Sequence, residues 1–276
     1  MMDKTDLHLH SSYSDGSDSI RELSEKIKLA GITTFALTDH DTVAGCEEMA
    51  KLMPDGFIPA VELTCKAGDI KCHILGYNID YYNPELLALI EKGKKLRKAK
   101  LETRIEYLKQ VWNIELTKEE LNWLYSRKSV VKTHIANILV NRGLSDNNQD
   151  AMKKYLDGCK AGDTRFTGEE AISAIKSAKG IPVWAHPLGG EGEKHLTQEE
   201  FLPKLEAMKS FGIEGLECYY SRYNKKEIEF LVSCAKKYNL AITGGSDYHG
   251  SNKSVPIGKL NVENQPIAKS CFTHLS

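Results

Sequence analysis

Residues 5–41 read TDLHLHSSYSDGSDSIRELSEKIKLAGITTFALTDHD. Thr5 to His10 alternates apolar and polar residues, the pattern of a half-buried strand. Ser19 to Ala30 places Ile20, Leu23, Ile27 and Ala30 at helical spacing and stops at Gly31. Ile32 to Leu37 is a β-branched, apolar run, which predicts a second strand. The segment is therefore a strand–helix–strand unit, and each strand runs into a polar cluster.

The rhythm continues outward from this unit. Thr42 to Leu52 predicts a helix; Phe57 to Leu63 and Ile70 to Tyr77 predict strands. It returns after about residue 165. Helices are expected at Gly168 to Lys179, Glu199 to Phe211 and Lys225 to Tyr238, with strands at Ile181 to Ala185, Ile213 to Tyr219 and Leu240 to Gly244. About seven strands separated by helices favour an α/β fold with a parallel sheet. With ligand-type residues at so many strand ends, a barrel accounts for the pattern better than an open sheet.

Between residues 82 and 165 the rhythm changes. Pro84 to Val111 reads as one long helix, followed by helical pieces at Lys118 to Tyr125, Val131 to Asn141 and Gln149 to Leu156. The expected organisation is one domain over 1–81 and 166–276, with a helical lid or substrate subdomain inserted at 82–165.

Composition bounds the function. The 276 residues are 41% hydrophobic and 27% charged, with net charge −1, close to a soluble globular average. No overall basic field exists to attract nucleic acid in bulk. No apolar run approaches the ~20 residues of a membrane span. The N-terminal segment has no apolar signal core, so a cytoplasmic protein is expected. Its seven cysteines, with no CxxC pair, are expected as free thiols. No GxxxxGK[ST] or GxSxG motif occurs, and no obligate protein partner is evident.

The chemistry lies in the polar clusters. His8 and His10 sit two apart on a strand, so both point to one face. Asp15 follows on a loop. His40 closes the second strand, Glu62 ends the third, and His73 lies in the fourth. His186 follows Val183-Trp184-Ala185; Asp247 and His249 follow the last strand. These six histidines and three carboxylates would meet at one rim. Burying so many charges unpaired is very costly, and divalent cations remove the cost. Mixed imidazole and carboxylate donors suit zinc, manganese, iron or cobalt. Nine ligands are too many for one ion and about right for two or three.

The order DLHLHS, SDG, TDHD, VE, HILGY, AHP and GSDYHG resembles the polymerase and histidinol phosphatase (PHP) family of metal-dependent phosphoesterases. The resemblance implies a distorted seven-stranded (β/α)7 barrel with a trinuclear metal site. It further implies that His8, His10, Glu62 and Asp247 hold one metal. Glu62, His73 and a further histidine, His186 rather than His134, hold a second. Asp15, His40 and His249 hold the third. Manganese is the first choice, with zinc or iron as the other candidates.

Lys132-Thr133-His134 resembles the family's nucleotide phosphoesterase branch, which usually reads Arg-Pro-His there. Glu217 to Tyr223 resembles that branch too. Lys132, His134, Ser221 and Arg222 are the expected substrate contacts, Arg222 having a solvated loop charge as its alternative. His134 is the expected catalytic acid. The expected reaction is hydrolysis of a phosphomonoester of a small nucleotide, a nucleoside monophosphate or 3′,5′-bisphosphate, by metal-activated hydroxide. The alternatives are 5′-to-3′ exonuclease action on short RNA or DNA, hydrolysis of a cyclic phosphodiester or sugar phosphate, and a catalytically silent binding module. The lysine-rich stretch Lys92 to Lys109 is either a solvated face or a guide for a polyanion. Trp112, Trp123 and Tyr125 either stack a base or seal a small helical core.

Overall fold

The computed structural model describes residues 4–127, 132–191 and 193–260. β1 (Lys4–Leu9) leads to α1 (Ile20–Ala30), then β2 (Ile32–Leu37), α2 (Cys46–Leu52), β3 (Phe57–Ala67) and β4 (Ile70–Tyr77). Helices α3 (Pro84–Trp112), α4 (Lys118–Tyr125), α5 (Lys132–Asn141) and α6 (Asn148–Ala151) follow, the last running into a π turn at Met152–Leu156. The chain then returns to β5 (Phe166–Thr167), α7 (Gly168–Ser177), β6 (Ile181–Trp184), α8 (Gln198–Ser210), β7 (Gly215–Tyr220), α9 (Lys225–Lys237) and β8 (Ala241–Gly245).

The helix starts are written locally. Ser19, Thr117, Thr167, Thr197 and Asn224 cap their helices, each reciprocated by the glutamate three residues on. Gly31 closes α1 in the left-handed conformation at φ 66°. Ile20, Leu23 and Ile27 are the buried face of α1 and pack with Leu9, Phe35, Leu37 and Met49. Each such fully buried side chain stabilises the fold by ~1.5–3 kcal/mol.

The fold is α/β with a mostly parallel sheet, as expected, but two expectations need correction. The described sheet has eight strands, not seven. The extra one is the two-residue β5, which pairs parallel to β3 and is too short to show a hydrophobic period. The sheet is also not uniformly parallel. The path runs β1-β2-β3-β4-β6-β7-β8, and β4 is antiparallel to both neighbours. No helix separates β3 from β4, so the chain turns directly after Ala67. α2 is shorter than the expected 42–52, because it starts only at Cys46, after a turn at Ala44 and Gly45.

The two ends of the strand path meet at an isolated bridge, Leu9 with Tyr248. There the His10 N–H donates to the Tyr248 carbonyl at 2.9 Å. Gly245 makes this approach possible: a Cβ there would lie 2.4 Å from His8 Cβ.

The chain divides into two compact units, Met1–Ile90 with Arg165–Ser276, and Glu91–Thr164. The first holds the sheet. The second has its own core, in which Leu101, Leu108, Leu124, Ile135, Leu139 and Leu156 are buried together. Trp123 packs against that core, and Trp112 meets the Tyr155 ring edge-on at 5.0 Å. Among the described residues no helix is long and apolar enough to cross a membrane. Cys46, Cys65, Cys72, Cys159, Cys218 and Cys234 are free thiols, all but Cys159 buried.

Candidate metal centre

The polar clusters converge at the strand ends of the first unit. Glu62, 1% exposed, lies at their middle. Its Oε2 is 3.1 Å from His8 Nε2, 3.2 Å from His10 Nε2 and 3.2 Å from His40 Nδ1. Its Oε1 is 3.0 Å from His73 Nδ1 and 3.2 Å from His186 Nε2. Asp247 Oδ1 lies 3.5 Å from His8 Nε2, 3.3 Å from His10 Nε2 and 3.4 Å from His249 Nδ1. Asp15 Oδ1 is 3.2 Å from His249 Nε2 and 3.7 Å from His10 Nδ1, and its Oδ2 is 3.8 Å from His40 Nε2. The six histidines among the nine sequence-predicted ligands therefore surround the other three, Glu62, Asp247 and Asp15.

The backbone presents them under constraint. His186 and Asp247 hold left-handed conformations, at φ 30° and 56°. Residues without a glycine's freedom occupy that region at a cost, and functional turns are where it recurs. Two buried aspartates tie the clusters together. Asp39 accepts from the N–H and hydroxyl of Ser11 at 2.8 and 2.7 Å and from the Ser14 hydroxyl at 2.7 Å, fixing the loop that carries Asp15. Asp6 accepts from the N–H and hydroxyl of Ser246 at 2.9 and 2.6 Å, fixing the turn before Asp247. Burial raises the carboxyl pKa of both Asp6 and Asp39 despite these bonds.

The electrostatics are those of a site built for cations. Burial alone would pull the His10 and His186 imidazoles down. The carboxylates around them outweigh it, Asp247 and Glu62 lifting His10 to about 9, and Glu193 and Glu62 lifting His186 to about 10. His40 goes the other way: burial, with His10 and His73 nearby, drives it down to about 3. Glu62 and Asp247 are held well below the carboxylate range, because the surrounding imidazoles outweigh their burial.

The residues fit divalent metal. His10 Nδ1 and Nε2, His40 Nδ1 and His249 Nε2 are buried and face carboxylate oxygens 3.2–3.7 Å away without a well-aligned hydrogen bond. Such atoms are costly unless something else satisfies them. Three sets of donor atoms each lie within 4.8 Å of one another: His10 with Asp15, His40 and His249; His8 with His10 and Glu62; His40 with Glu62 and His73. Shared members make the three sets one cluster. The groupings also differ in detail from the sequence-based division, since His10 joins the Asp15 set and His40 the Glu62 set.

Sequence reasoning missed the residues that orient this cluster. Glu217, fully buried, accepts from His8 Nδ1–H at 2.8 Å and from the His186 N–H at 2.7 Å. Its bond engages His8 Nδ1, so Nε2 is the atom His8 would offer a metal. Tyr220 and Lys253 donate to Asp247 Oδ2 at 2.8 and 2.7 Å, leaving Oδ1 to face the histidines. Glu193 lies 3.4 Å from His186 Nδ1, is anchored by the Gly190 N–H, and is held down to about 2 because these partners outweigh burial. No local signal marked Glu217, whose strand is buried along nearly its whole length.

The expected substrate contacts are distributed differently. Ser221 is buried, and its hydroxyl lacks a hydrogen-bond partner, while Arg222 is exposed. Lys132 and His134 lie on α5, in the second unit. Lys132 is paired with Asp157, and His134 meets the Trp123 ring edge-on at 5.7 Å. Burial, helped by Arg127, holds His134 below its ordinary value.

The PHP domain matches residues 6–163. A 5′-3′ exoribonuclease of Haemophilus influenzae is 30% identical over 94% of this chain and 94% of its own length. A 3′,5′-nucleoside bisphosphate phosphatase of Chromobacterium violaceum is 27% identical over 90% of this chain and 88% of its own. A crystal structure from Bifidobacterium adolescentis, assigned as a metal-dependent phosphoesterase, superposes with a TM-score of 0.74 at 26% identity, covering 96% of this chain and 92% of that one. Fold and site define the class as a metal-dependent hydrolase of phosphate esters. The chain belongs to the PHP-domain family.

Proposed function

We propose that this protein hydrolyses a phosphomonoester of a small nucleotide, a nucleoside monophosphate or 3′,5′-bisphosphate. The observation that carries the proposal is the convergence of six histidines on three carboxylates, with four buried imidazole nitrogens facing carboxylates without a well-aligned hydrogen bond. Bound divalent ions would lower the pKa of a coordinated water and take up charge on the phosphate oxygens. In the proposed assignment His8, His10, Glu62 and Asp247 hold one ion, Glu62, His73 and His186 a second, and Asp15, His40 and His249 a third. Manganese is the proposed metal, and the cytoplasm the proposed location.

The other residues orient and neutralise. Glu217 fixes the His8 tautomer and the His186 backbone. Ser221, Arg222, Lys132 and His134 are the proposed contacts to the remaining phosphate oxygens. His134 is also the proposed proton donor to the leaving alkoxide. A phosphate beside it would raise its lowered pKa toward the range a general acid needs. The helical unit, on this proposal, serves the substrate.

A second proposal, 5′-to-3′ cleavage of short RNA, is favoured by the Haemophilus relative's name. The lysine-rich stretch of α3 supports it less than its composition suggests. Lys94 lies 3.9 Å from Glu91, Lys98 4.0 Å from Glu102, and Lys109 2.8 Å from Glu115, so part of the charge is met by neighbours.

The test gives manganese-loaded enzyme adenosine 3′,5′-bisphosphate and a 5′-phosphorylated short RNA in parallel. Orthophosphate with a mononucleotide from the first, and intact RNA, is the expected result. Mononucleotides released stepwise from the RNA would replace the first proposal with the second. No reaction on either would remove the nucleotide assignment.

A further inference from the structure

The donor sets of the cluster are not held alike. Glu62 is buried within β3, where it pairs with Leu75 of β4. Asp15 lies on the loop after β1, its side chain 53% exposed, and His249 lies on the loop after β8. The set of Asp15, His40 and His249 therefore depends on how two loops are fastened together. The Ser17 N–H donates to the His249 carbonyl at 3.0 Å, the Ser251 N–H to the Ser17 hydroxyl at 2.8 Å, and the Asn252 amide to the Asp15 carbonyl at 2.8 Å. Gly250 allows the approach: a Cβ there would lie 1.9 Å from Ser17 Oγ.

The fastening ends in a network of three side chains. Tyr248, between Asp247 and His249, donates its hydroxyl to Asp18 Oδ2 at 2.9 Å. Lys26 donates to the same oxygen at 2.7 Å and to the Tyr248 hydroxyl oxygen at 2.9 Å. Asp18 and Tyr248 are both buried. A buried carboxylate is costly unless it is paired and hydrogen-bonded, and here an ammonium and a phenol satisfy it. Lys26 belongs to α1, whose Ile20, Leu23 and Ile27 are packed in the core. One ammonium group thus ties a fixed helix to both ligand-bearing loops. None of the three side chains is in a donor set.

We propose that Lys26, Asp18 and Tyr248 are positioning residues that set the affinity for the ion held by Asp15, His40 and His249, and that this ion is the most weakly held. The inference rests on the metal assignment proposed above. Its selectivity follows from the restraints on the other ligands. Asp247 shares the Tyr248 loop, but Tyr220 and Lys253 grip its Oδ2 independently. Glu62 is held by its strand. Loosening the network therefore moves His249 and Asp15 apart and leaves the ions on Glu62 in place.

The test is calorimetric titration of metal-free protein with manganese, comparing wild type with Tyr248→Phe, Lys26→Met and Lys26→Arg. Phosphate release is assayed separately. Wild type is expected to bind its last ion more weakly than the others. Tyr248→Phe and Lys26→Met should each weaken that last ion by about 10-fold, the lower end of what losing a residue behind a ligand costs, with the tighter ions nearly unchanged. Lys26→Arg should recover most of the loss. Tyr248→Phe keeps the ring and its packing, so it decides the matter alone if Lys26→Met fails to fold. A network that only supports the fold would lower the Tm without choosing among ions. Equal weakening of every ion, weakening of none, or the lack of a weaker ion in wild type overturns the proposal whatever the turnover. Selective weakening without any phosphate release leaves the positioning role standing and removes the hydrolytic reading instead.

Discussion

In the sheet unit His8, His10 and Glu62 are at most 1% exposed, and Glu62 Oε2 lies 3.1 and 3.2 Å from the two Nε2 atoms. In the helical unit the charges sit at the surface, as in Lys109 with Glu115, whose side chains are 57% and 69% exposed. The first arrangement removes ionisable groups from water and leaves several without a well-aligned hydrogen bond. The second leaves them in water, where a pair contributes ~0–1 kcal/mol. A fold tolerates the first only where a ligand repays it, so burial, rather than the number of charges, separates the candidate chemistry from the solvated face.

Glu217→Gln is the sharpest way to break this contrast. The amide can still accept from His8 but loses the charge that supports the imidazole. Metal affinity or turnover should fall by about 10–100-fold, the usual cost of losing a carboxylate behind a ligating histidine. Metal analysis after dialysis, together with turnover, checks it. An unchanged metal content would reduce Glu217 to a packing residue.

The pH response comes next in size. In metal-free protein His10 and His186 keep their protons to about pH 9 and 10, against about 6.5 when unfolded. Their contribution to stability is complete below about pH 6.5 and is lost as pH rises through 9 to 10. His40, held down to about 3, contributes in the opposite sense: its stabilisation is present above about 6.5 and is lost as pH falls toward 3. The Tm of metal-free protein should therefore fall between pH 7 and 10 in calorimetric scans. Metal binding needs neutral imidazoles, so metal-loaded protein should lose less over the same range. A flat alkaline limb in the metal-free scans would contradict the packing of carboxylates on these two histidines.

Arg142→Ala should give the smallest effect. Arg142 pairs with Glu120, the glutamate that completes the α4 capping box, and donates to the Glu115 carbonyl at 2.8 Å. Its loss should cost about 1 kcal/mol of stability, read by urea unfolding, with turnover unaffected. A large loss of turnover would show that the helical unit's surface pairs matter to the chemistry.

Much of this was legible in the chain because it is local. Capping boxes, the Gly31 stop and the α1 stripe depend on residues within one or two turns, and the long α3 helix could be read from its spacing. The candidate ligands were legible because each sits in a short polar string at the end of an apolar run. The reversal at β4 was not. A buried strand reads alike in either direction, and only the missing helix between Ala67 and Ile70 hinted at a hairpin. Glu217 was equally hidden. Its partner His8 is 209 residues away, and nothing beside it distinguishes a buried acid from a solvated one.

By itself, the sequence marked the candidate ligands and the kind of element on which each one sits, since both follow from residue type and short-range period. Tertiary structure alone decided that Glu62 is shared by five histidines and that Glu217 and Lys253 hold the cluster from behind. Those facts arise from strand register and from the order of strands in the sheet. Register moves every side chain together, so hydrophobic patterning over the whole sheet sets it, and no short stretch of the chain encodes it.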